Sequence, residues 1–278
     1  MLFHRKYIYA AEERRYINTE RKRRINKKGE GEEMIKTENL TKVYNGKKAV
    51  DNLNLEVEEG ITFGFLGLNG AGKTTTVRML ATISDPTSGK ASVYGHDIVK
   101  DRVELRKIIG VVTEESGVTQ PDWTPLEYLE FFGAIHGMDD SLMKERTKEL
   151  LQMLDLYERR FDPMKTFSGG MMRRAEIARV LLHNPKVLFL DEPTREFDIP
   201  GKRYIWNLLQ DLKHDQDVTI FLSSHDIREI EVLCDRVCII HKGKIVFSGD
   251  AEKLKSGKGT SDELEENVTK LLKGEMVE

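Results

Sequence analysis

The chain has 278 residues, of which 39% are hydrophobic and 33% charged, a balance that excludes disordered and fibrous proteins. Its net charge is −3, yet residues 1–28 carry ten Lys or Arg against three Glu (+7), so the other 250 residues carry −10, which argues against nucleic acid as the main partner. No apolar run approaches the roughly 20 residues that cross a bilayer, and no secretory signal opens the chain.

Residues 1–33 form a basic extension that ends in the segment Gly29-Glu30-Gly31-Glu32-Glu33. One interpretation is an arm for RNA or anionic lipid, and another is a solvated tail. A third concerns the gene, because this segment requires purine-rich codons that resemble a ribosome-binding site directly before Met34. Domain-like patterning begins at Met34, so our hypothesis is that Met34 is the true start, which the intact mass of native protein would test.

Strands and helices alternate from residue 34 onward. Predicted strands and helices follow, in chain order: strands 35–38, 53–57 and 61–66, a helix from Lys73, strands 92–94 and 108–112, helices over 124–160 and 171–182, strand 187–190, helix 201–212, strand 218–222, helix 227–233, and strands 237–240 and 244–247. This order predicts an α/β domain over 34–250, with an inserted helical subdomain over about 115–165 and a short tail over 251–278.

A glycine-rich loop separates the apolar run 61–66 from the first helix. Residues 67–74 match the pattern G-x-x-x-x-G-K-[ST], in which glycines let successive N–H groups face one phosphate at the positive end of a helix. Lys73 would place its charge between the β- and γ-phosphates, and the Thr74 hydroxyl would ligate Mg²⁺. The alternative is a turn with an incidental lysine. The predicted nucleotide-binding residues are Gly67, Leu68, Asn69, Gly70, Ala71, Gly72, Lys73, Thr74 and Thr75.

Two acids follow the apolar strand 187–190. Asp191 ends this buried strand and can direct a carboxylate at Mg²⁺, while Glu192 can orient or deprotonate an attacking water. A strand that simply ends in a polar loop is the alternative. The occurrence of these two acids together with the loop at 67–74 favours the catalytic interpretation.

Here the sequence resembles the ATP-binding subunits of ABC transporters. Between the loop and the acids it has Phe167-Ser168-Gly169-Gly170-Met171, similar to the family's short signature. Asp191-Glu192-Pro193-Thr194 and then Ser223-Ser224-His225-Asp226 continue the family's order. The resemblance covers about residues 34–250 and implies a P-loop ATPase with a mixed sheet, an antiparallel β part and an inserted helical subdomain.

The resemblance assigns roles residue by residue. Tyr44 matches the aromatic residue that stacks on adenine, and His225 matches a switch histidine that contacts the γ-phosphate and the water. Ser168, Gly169 and Gly170 open a helix and would hold the ATP of a second subunit. A head-to-tail dimer, with itself or with a paralogue, would then bury two ATP molecules with Mg²⁺.

Two positions depart from the family's pattern. Glu114 replaces the usual Gln of the loop that links nucleotide to the helical subdomain; a carboxylate can ligate Mg²⁺ but donates no hydrogen bond when ionised. Glu196 replaces a glycine at the expected dimer interface, where facing acids would repel. These departures keep open a degenerate partner subunit that does not hydrolyse ATP.

The resemblance also implies a separate membrane permease, which would hold the ATPase at the inner, cytoplasmic face of the membrane. The motif Ser-Gly-Gly-Met-x-Arg-Arg is similar to drug-exporter ATPases and favours export. A soluble ABC ATPase acting on RNA or ribosomes is the alternative, supported only by the basic extension. A DNA role is disfavoured, since Lys73 and Ser168 are only 95 residues apart, which leaves too little chain for a long coiled coil.

Overall fold

A computed structural model of the chain describes residues 33–113, 120–195, 197–216 and 218–254, together with residue 268. The predictions for residues 1–32 and for most of the tail lie outside these residues. The same holds for the predicted roles of Glu114 and Glu196.

The N-terminal part of the described chain is an antiparallel sheet with strand order β2-β1-β4-β5. The turn between its first two strands is Asn45-Gly46, both with positive φ, as a two-residue hairpin requires. This turn explains why both strands are much longer than predicted. The elements here are β1 (Glu33–Tyr44), β2 (Lys47–Glu58), β3 (Thr62–Leu66), α1 (Lys73–Leu80), β4 (Ser88–Val93) and β5 (His96–Asp97).

The second sheet has six strands in the order β10-β9-β3-β8-β7-β6, and all neighbours in it pair in parallel except β10 and β9. The predicted mixed α/β fold with an antiparallel part is therefore confirmed. The remaining elements are α2 (Arg102–Ile108), β6 (Ile109–Val112), α3 (Pro125–Ile135), α4 (Asp140–Met153), α5 (Gly169–Leu181), β7 (Val187–Asp191), α6 (Ile199–Gln216), β8 (Thr219–Ser224), α7 (Ile227–Leu233), β9 (Arg236–His241), β10 (Lys244–Asp250) and α8 (Ala251–Leu254).

Alternating side chains divide the core between the two faces of the six-stranded sheet. Phe63, Phe189 and Phe221 point toward the antiparallel sheet. The ring centroid of Phe221 lies 5.5 Å from that of Phe63 and 5.7 Å from that of Phe189. Leu188 and Leu222 point to the opposite face, against the helices. Burial on both faces explains why the apolar residues of β3, β7 and β8 are consecutive and do not alternate with exposed polar residues.

Helices α3 and α4 occupy the segment predicted to be helical. Helix α3 begins with a capping box, in which Thr124 and Glu127 bond each other's backbone N–H groups, and Pro125 follows the cap. Buried leucines of α4 pack with α3 and α5 in one cluster. Helix α2 was not predicted, because its single buried residue, Leu105, gives no apolar periodicity. Within the described ranges, no helix is long and apolar enough to cross a membrane.

Candidate functional site

The glycine-rich loop, the two acids and His225 meet where three parallel strands end. Strand β8 pairs with β3 and β7, so that Leu66 lies beside Ser224 and Asp191 beside Ser223. The glycine-rich loop, the acids and the histidine follow these three strands directly. Parallel sheets commonly bind ligands at this edge, outside the carboxyl ends of their strands.

Neighbouring backbone packs closely against the glycines of the loop between β3 and α1. A Cβ atom on Gly67 would lie 2.6 Å from the carbonyl oxygen of Ile240, and one on Gly72 would lie 2.5 Å from that of Ala49. Gly72 also has a φ of 115° and precedes the first turn of α1, whose N–H groups have no partner within the helix. Thr74 and Thr75 are half-buried in that turn. This geometry suits a phosphate group.

Lys73, Glu192 and His225 form a chain of charged and polar contacts. The Lys73 Nζ donates to the carbonyl oxygen of Gly67 at 2.7 Å and lies 3.3 Å from Glu192 Oε1. The other Glu192 oxygen lies 2.7 Å from Nδ1 of His225. The side chains of Lys73 and Glu192 are 6% and 8% exposed, so their attraction is only weakly screened. The structure thus brings together all three predicted catalytic residues.

The hydrogen bonds of the Asp191 carboxylate show whether this part of the site suits Mg²⁺. Its carboxylate is fully buried, and Oδ1 accepts a hydrogen bond from Ser223 Oγ. Its Oδ2 has no hydrogen-bond partner among the described residues. A buried carboxylate oxygen without a partner is costly unless a cation or a donor meets it, so this oxygen suits a hard divalent cation.

Ser168, Gly169 and Gly170 lie apart from this cluster. Ser168 caps α5 by accepting the N–H of Met171 at 3.3 Å, and Ser168 and Gly169 are exposed. Within the described chain, no hydrogen bond or ion pair joins these three residues to the loop at 67–74. As an exposed helix N-terminus, they can meet an anion carried by another molecule.

Tyr44 ends β1 and pairs with Lys47 across the β1–β2 hairpin. Ala49, two residues after Lys47, has its carbonyl oxygen 2.5 Å from where a Cβ atom on Gly72 of the loop would lie. The ring of Tyr44 is 44% exposed, and Lys42 Nζ lies 5.0 Å from the ring centroid. The exposed part of the ring is available for stacking.

Three polar residues with contacts to this site were not predicted. Ser223 bonds Asp191, Glu229 accepts from Thr194 and Ser224, and Arg173 reaches the carbonyl of Glu192. Their positions were the available signal: Ser223 is the next-to-last residue of the buried strand β8, and the charged pair Arg173 and Glu176 faces inward on α5.

Sequence comparison finds an established family. The chain matches the ABC transporter family model over residues 50–195. It is 38% identical to the daunorubicin/doxorubicin resistance ATP-binding protein DrrA of Streptomyces peucetius over 82% of this chain and 68% of that one. It is 41% identical to the bacitracin transport ATP-binding protein BcrA of Bacillus licheniformis, over 77% of this chain and 68% of that one.

Structural comparison agrees with the sequence. A dimeric ATP-binding cassette in a post-hydrolysis state, bound to ADP and phosphate, superposes with a TM-score of 0.72. That structure is 26% identical in sequence, and the match covers 78% of this chain and 99% of the other.

Proposed function

From the premise that this chain belongs to the ABC transporter family, as an exporter-like ATP-binding subunit, we propose that it hydrolyses MgATP between two paired ATPase chains and powers a separate export permease. One observation carries the assignment of residues: Lys73, Asp191, Glu192 and His225 converge at the ends of three adjacent strands. Phosphoryl transfer to water needs this kind of positioned charge more than covalent chemistry.

Each residue of the cluster has a role that follows from its position. Lys73 and the first turn of α1 hold the phosphates, and a triphosphate competes with Glu192 for the lysine. Glu192 then accepts a proton from the attacking water, and His225 holds Oε2 of that carboxylate in place. Asp191 and Thr74 would hold Mg²⁺, which supplies charge neutralisation at the phosphates. Glu114 is proposed as a further metal ligand from sequence alone.

The second chain completes the site in this proposal. The exposed N-terminus of α5, with Ser168, Gly169 and Gly170, binds the nucleotide held by the partner chain, and Tyr44 stacks on the adenine of its own nucleotide. The partner we propose is a second copy of this chain, and a paralogous ATPase is the alternative outcome. The dimeric relative with ADP and phosphate supports this pairing.

Export is proposed from the relatives named for drug resistance and for bacitracin transport. The permease would hold this ATPase at the inner face of the membrane, and the permease would select the substrate. Co-purification of a membrane protein with the tagged chain from native cells tests this part. Recovery of ribosomes or RNA in its place would favour the alternative function.

A matched pair of lysine variants tests the ATPase assignment. Lys73→Ala should weaken ATP binding and lower phosphate release by about 100-fold or more, because a buried charge-assisted contact to phosphate is lost. The control is Lys48→Ala, which removes an exposed lysine of β2 that pairs with Asp51 at 2.7 Å. Phosphate release that persists in Lys73→Ala at the level of Lys48→Ala would contradict the assignment.

A further inference from the structure

Arg173 is a buried arginine on α5 to which no role in ATP hydrolysis has been given so far. Its residue is 9% exposed, and its guanidinium has five N–H donors. Four of the five acceptors are backbone carbonyls. Nη1 donates to Thr113 and Glu176 Oε2 at 2.9 Å, Nη2 to Asp191 at 2.9 Å and Glu192 at 3.3 Å, and Nε to Pro193 at 3.4 Å.

Three of these carbonyls belong to consecutive residues around the water-activating acid. Glu192 has a φ of 50°, a left-handed conformation that is uncommon and strained for a residue such as glutamate. Arg173 donates hydrogen bonds to the carbonyls of Glu192 and of the residues on either side of it. The N–H of Glu192 donates to the carbonyl of Ser223 at 3.1 Å. The guanidinium therefore helps to set the direction in which the Glu192 carboxylate points.

The fourth carbonyl belongs to Thr113, directly before Glu114. One arginine thus joins the strand end that carries the acids to the segment that leads toward the helical region. Glu176, one helical turn further along α5, accepts from Nη1 and keeps the buried guanidinium neutralised within its own helix.

Arg173 lies on the same helix, α5, as the exposed Ser168. Ser168 caps this helix, and Arg173 lies five residues later, about 7.5 Å along the axis. A helix transmits a shift or rotation over this distance as a rigid element. In the proposed dimer, Ser168 meets the nucleotide of the partner, whereas Glu192 acts on the nucleotide of its own chain.

We propose that Arg173 is a positioning residue that couples the two ATP sites of the dimer, by transmitting engagement of Ser168 with one nucleotide to Glu192 at the other. The inference rests on the proposed function, since it requires the paired arrangement. It predicts that hydrolysis in one site depends on α5 having engaged the other, so that ATP hydrolysis is cooperative.

The neighbouring residue Arg174 provides a matched control. It lies on the same helix, but its guanidinium contacts the carbonyl of Leu154 and the carboxylate of Asp155, away from the acids. Arg174→Gln therefore removes the same charge from α5 without touching the segment at 191–193.

The test compares phosphate release against MgATP concentration for the full-length wild type, Arg173→Gln, Arg173→Lys and Arg174→Gln, with ATP affinity measured separately without Mg²⁺. Wild type and Arg174→Gln should give a Hill coefficient near two. Arg173→Gln should give a value near one and a 10- to 100-fold lower kcat, with ATP affinity within two-fold of wild type. Arg173→Lys should be intermediate, because it keeps the charge but loses the planar fork.

The other outcomes overturn either the coupling role or the proposed function. A cooperative wild type with equally cooperative Arg173 variants would overturn the coupling role alone. Equal losses in Arg173→Gln and Arg174→Gln would show general loosening of α5 and would also overturn it. A non-cooperative wild type that does not dimerise with ATP would overturn the proposed function first. Should Arg173→Gln fail to fold, an unchanged Hill coefficient in Arg173→Lys would overturn the coupling role.

Discussion

Glu229 lies behind the loops that carry Glu192 and His225. Its side chain is 1% exposed, and its oxygens accept hydrogen bonds from Thr194 at 2.7 Å, Trp206 at 3.1 Å and Ser224 at 2.7 Å. Burial raises the pKa of Glu229 above its ordinary value of 4.5, and these donors offset only part of that effect. This carboxylate therefore ties the two loops together and also gives the fold a dependence on pH.

Glu229→Gln should alter how stability depends on pH. Because the folded protein binds the Glu229 proton more tightly than the unfolded chain, the contribution of this group to the free energy of unfolding falls as pH rises from 4.5 through the raised pKa. Glutamine does not ionise and lacks this loss. The free energy of unfolding of the variant minus that of the wild type should therefore increase as pH rises from 4.5 through the raised pKa.

Urea unfolding between pH 4.5 and 8 measures this difference. Glu145→Gln, which changes an exposed glutamate of α4, is the control and should show no such trend. A difference between Glu229→Gln and wild type that stays constant across this range would contradict the account.

At the scale of elements, two histidines join α3 to α5. The ring of His136, at the end of α3, stacks on His183 with centroids 4.0 Å apart and planes 4° from parallel. Burial, the neighbouring His136 and Arg179 lower the pKa of His183 to about 4, although its contact with the Ile109 carbonyl opposes the shift. Burial and Arg179 also lower the pKa of His136.

Acid should weaken this junction between helices. The unfolded chain protonates His183 near pH 6.5 and the folded chain only near pH 4, so stability is lost as pH falls through this window. His183→Gln should reduce the loss by about 1–2 kcal/mol, allowing for partial solvent screening. Thermal or urea unfolding at pH 4.5 and 7 checks this, with His96→Gln of β5 as control. Identical pH profiles for wild type and His183→Gln would contradict it.

Local pattern was sufficient for some elements and not for others. The apolar strands β3 and β7 and the loop at 67–74 were predictable because each depends on residues adjacent in the chain. The length of β1 was not, since it depends on pairing across the Asn45-Gly46 turn, and α2 shows only one buried residue. The contacts of Arg173 and Glu229 were not predicted for a related reason: their partners lie at distant positions in the sequence that only the folded sheet brings together.

At the scale of the whole molecule, the site is divided between two separate places in the chain. Lys73, Glu192 and His225 form one cluster, while Ser168 and Gly169 lie exposed at the start of α5, with no hydrogen bond to that cluster among the described residues. We therefore interpret a single chain as carrying two half-sites for phosphate. In the proposed dimer, head-to-tail pairing would join each half-site to its complement on the other chain.

Glu192→Gln separates this pairing from turnover. The variant keeps an oxygen and a similar shape but no longer takes a proton from water, so hydrolysis should fall roughly 10²- to 10⁴-fold while ATP binding persists. ATP should then hold the two chains together, because the nucleotide that bridges them is not consumed.

ATP-dependent pairing of two chains is therefore tested most directly by the mass of Glu192→Gln in solution, measured by light scattering or sedimentation with and without saturating ATP. We predict one chain of 32.0 kDa without nucleotide and, with ATP, a particle of twice that mass that retains two ATP molecules. A variant that binds ATP and yet stays a single chain at every protein concentration would contradict it.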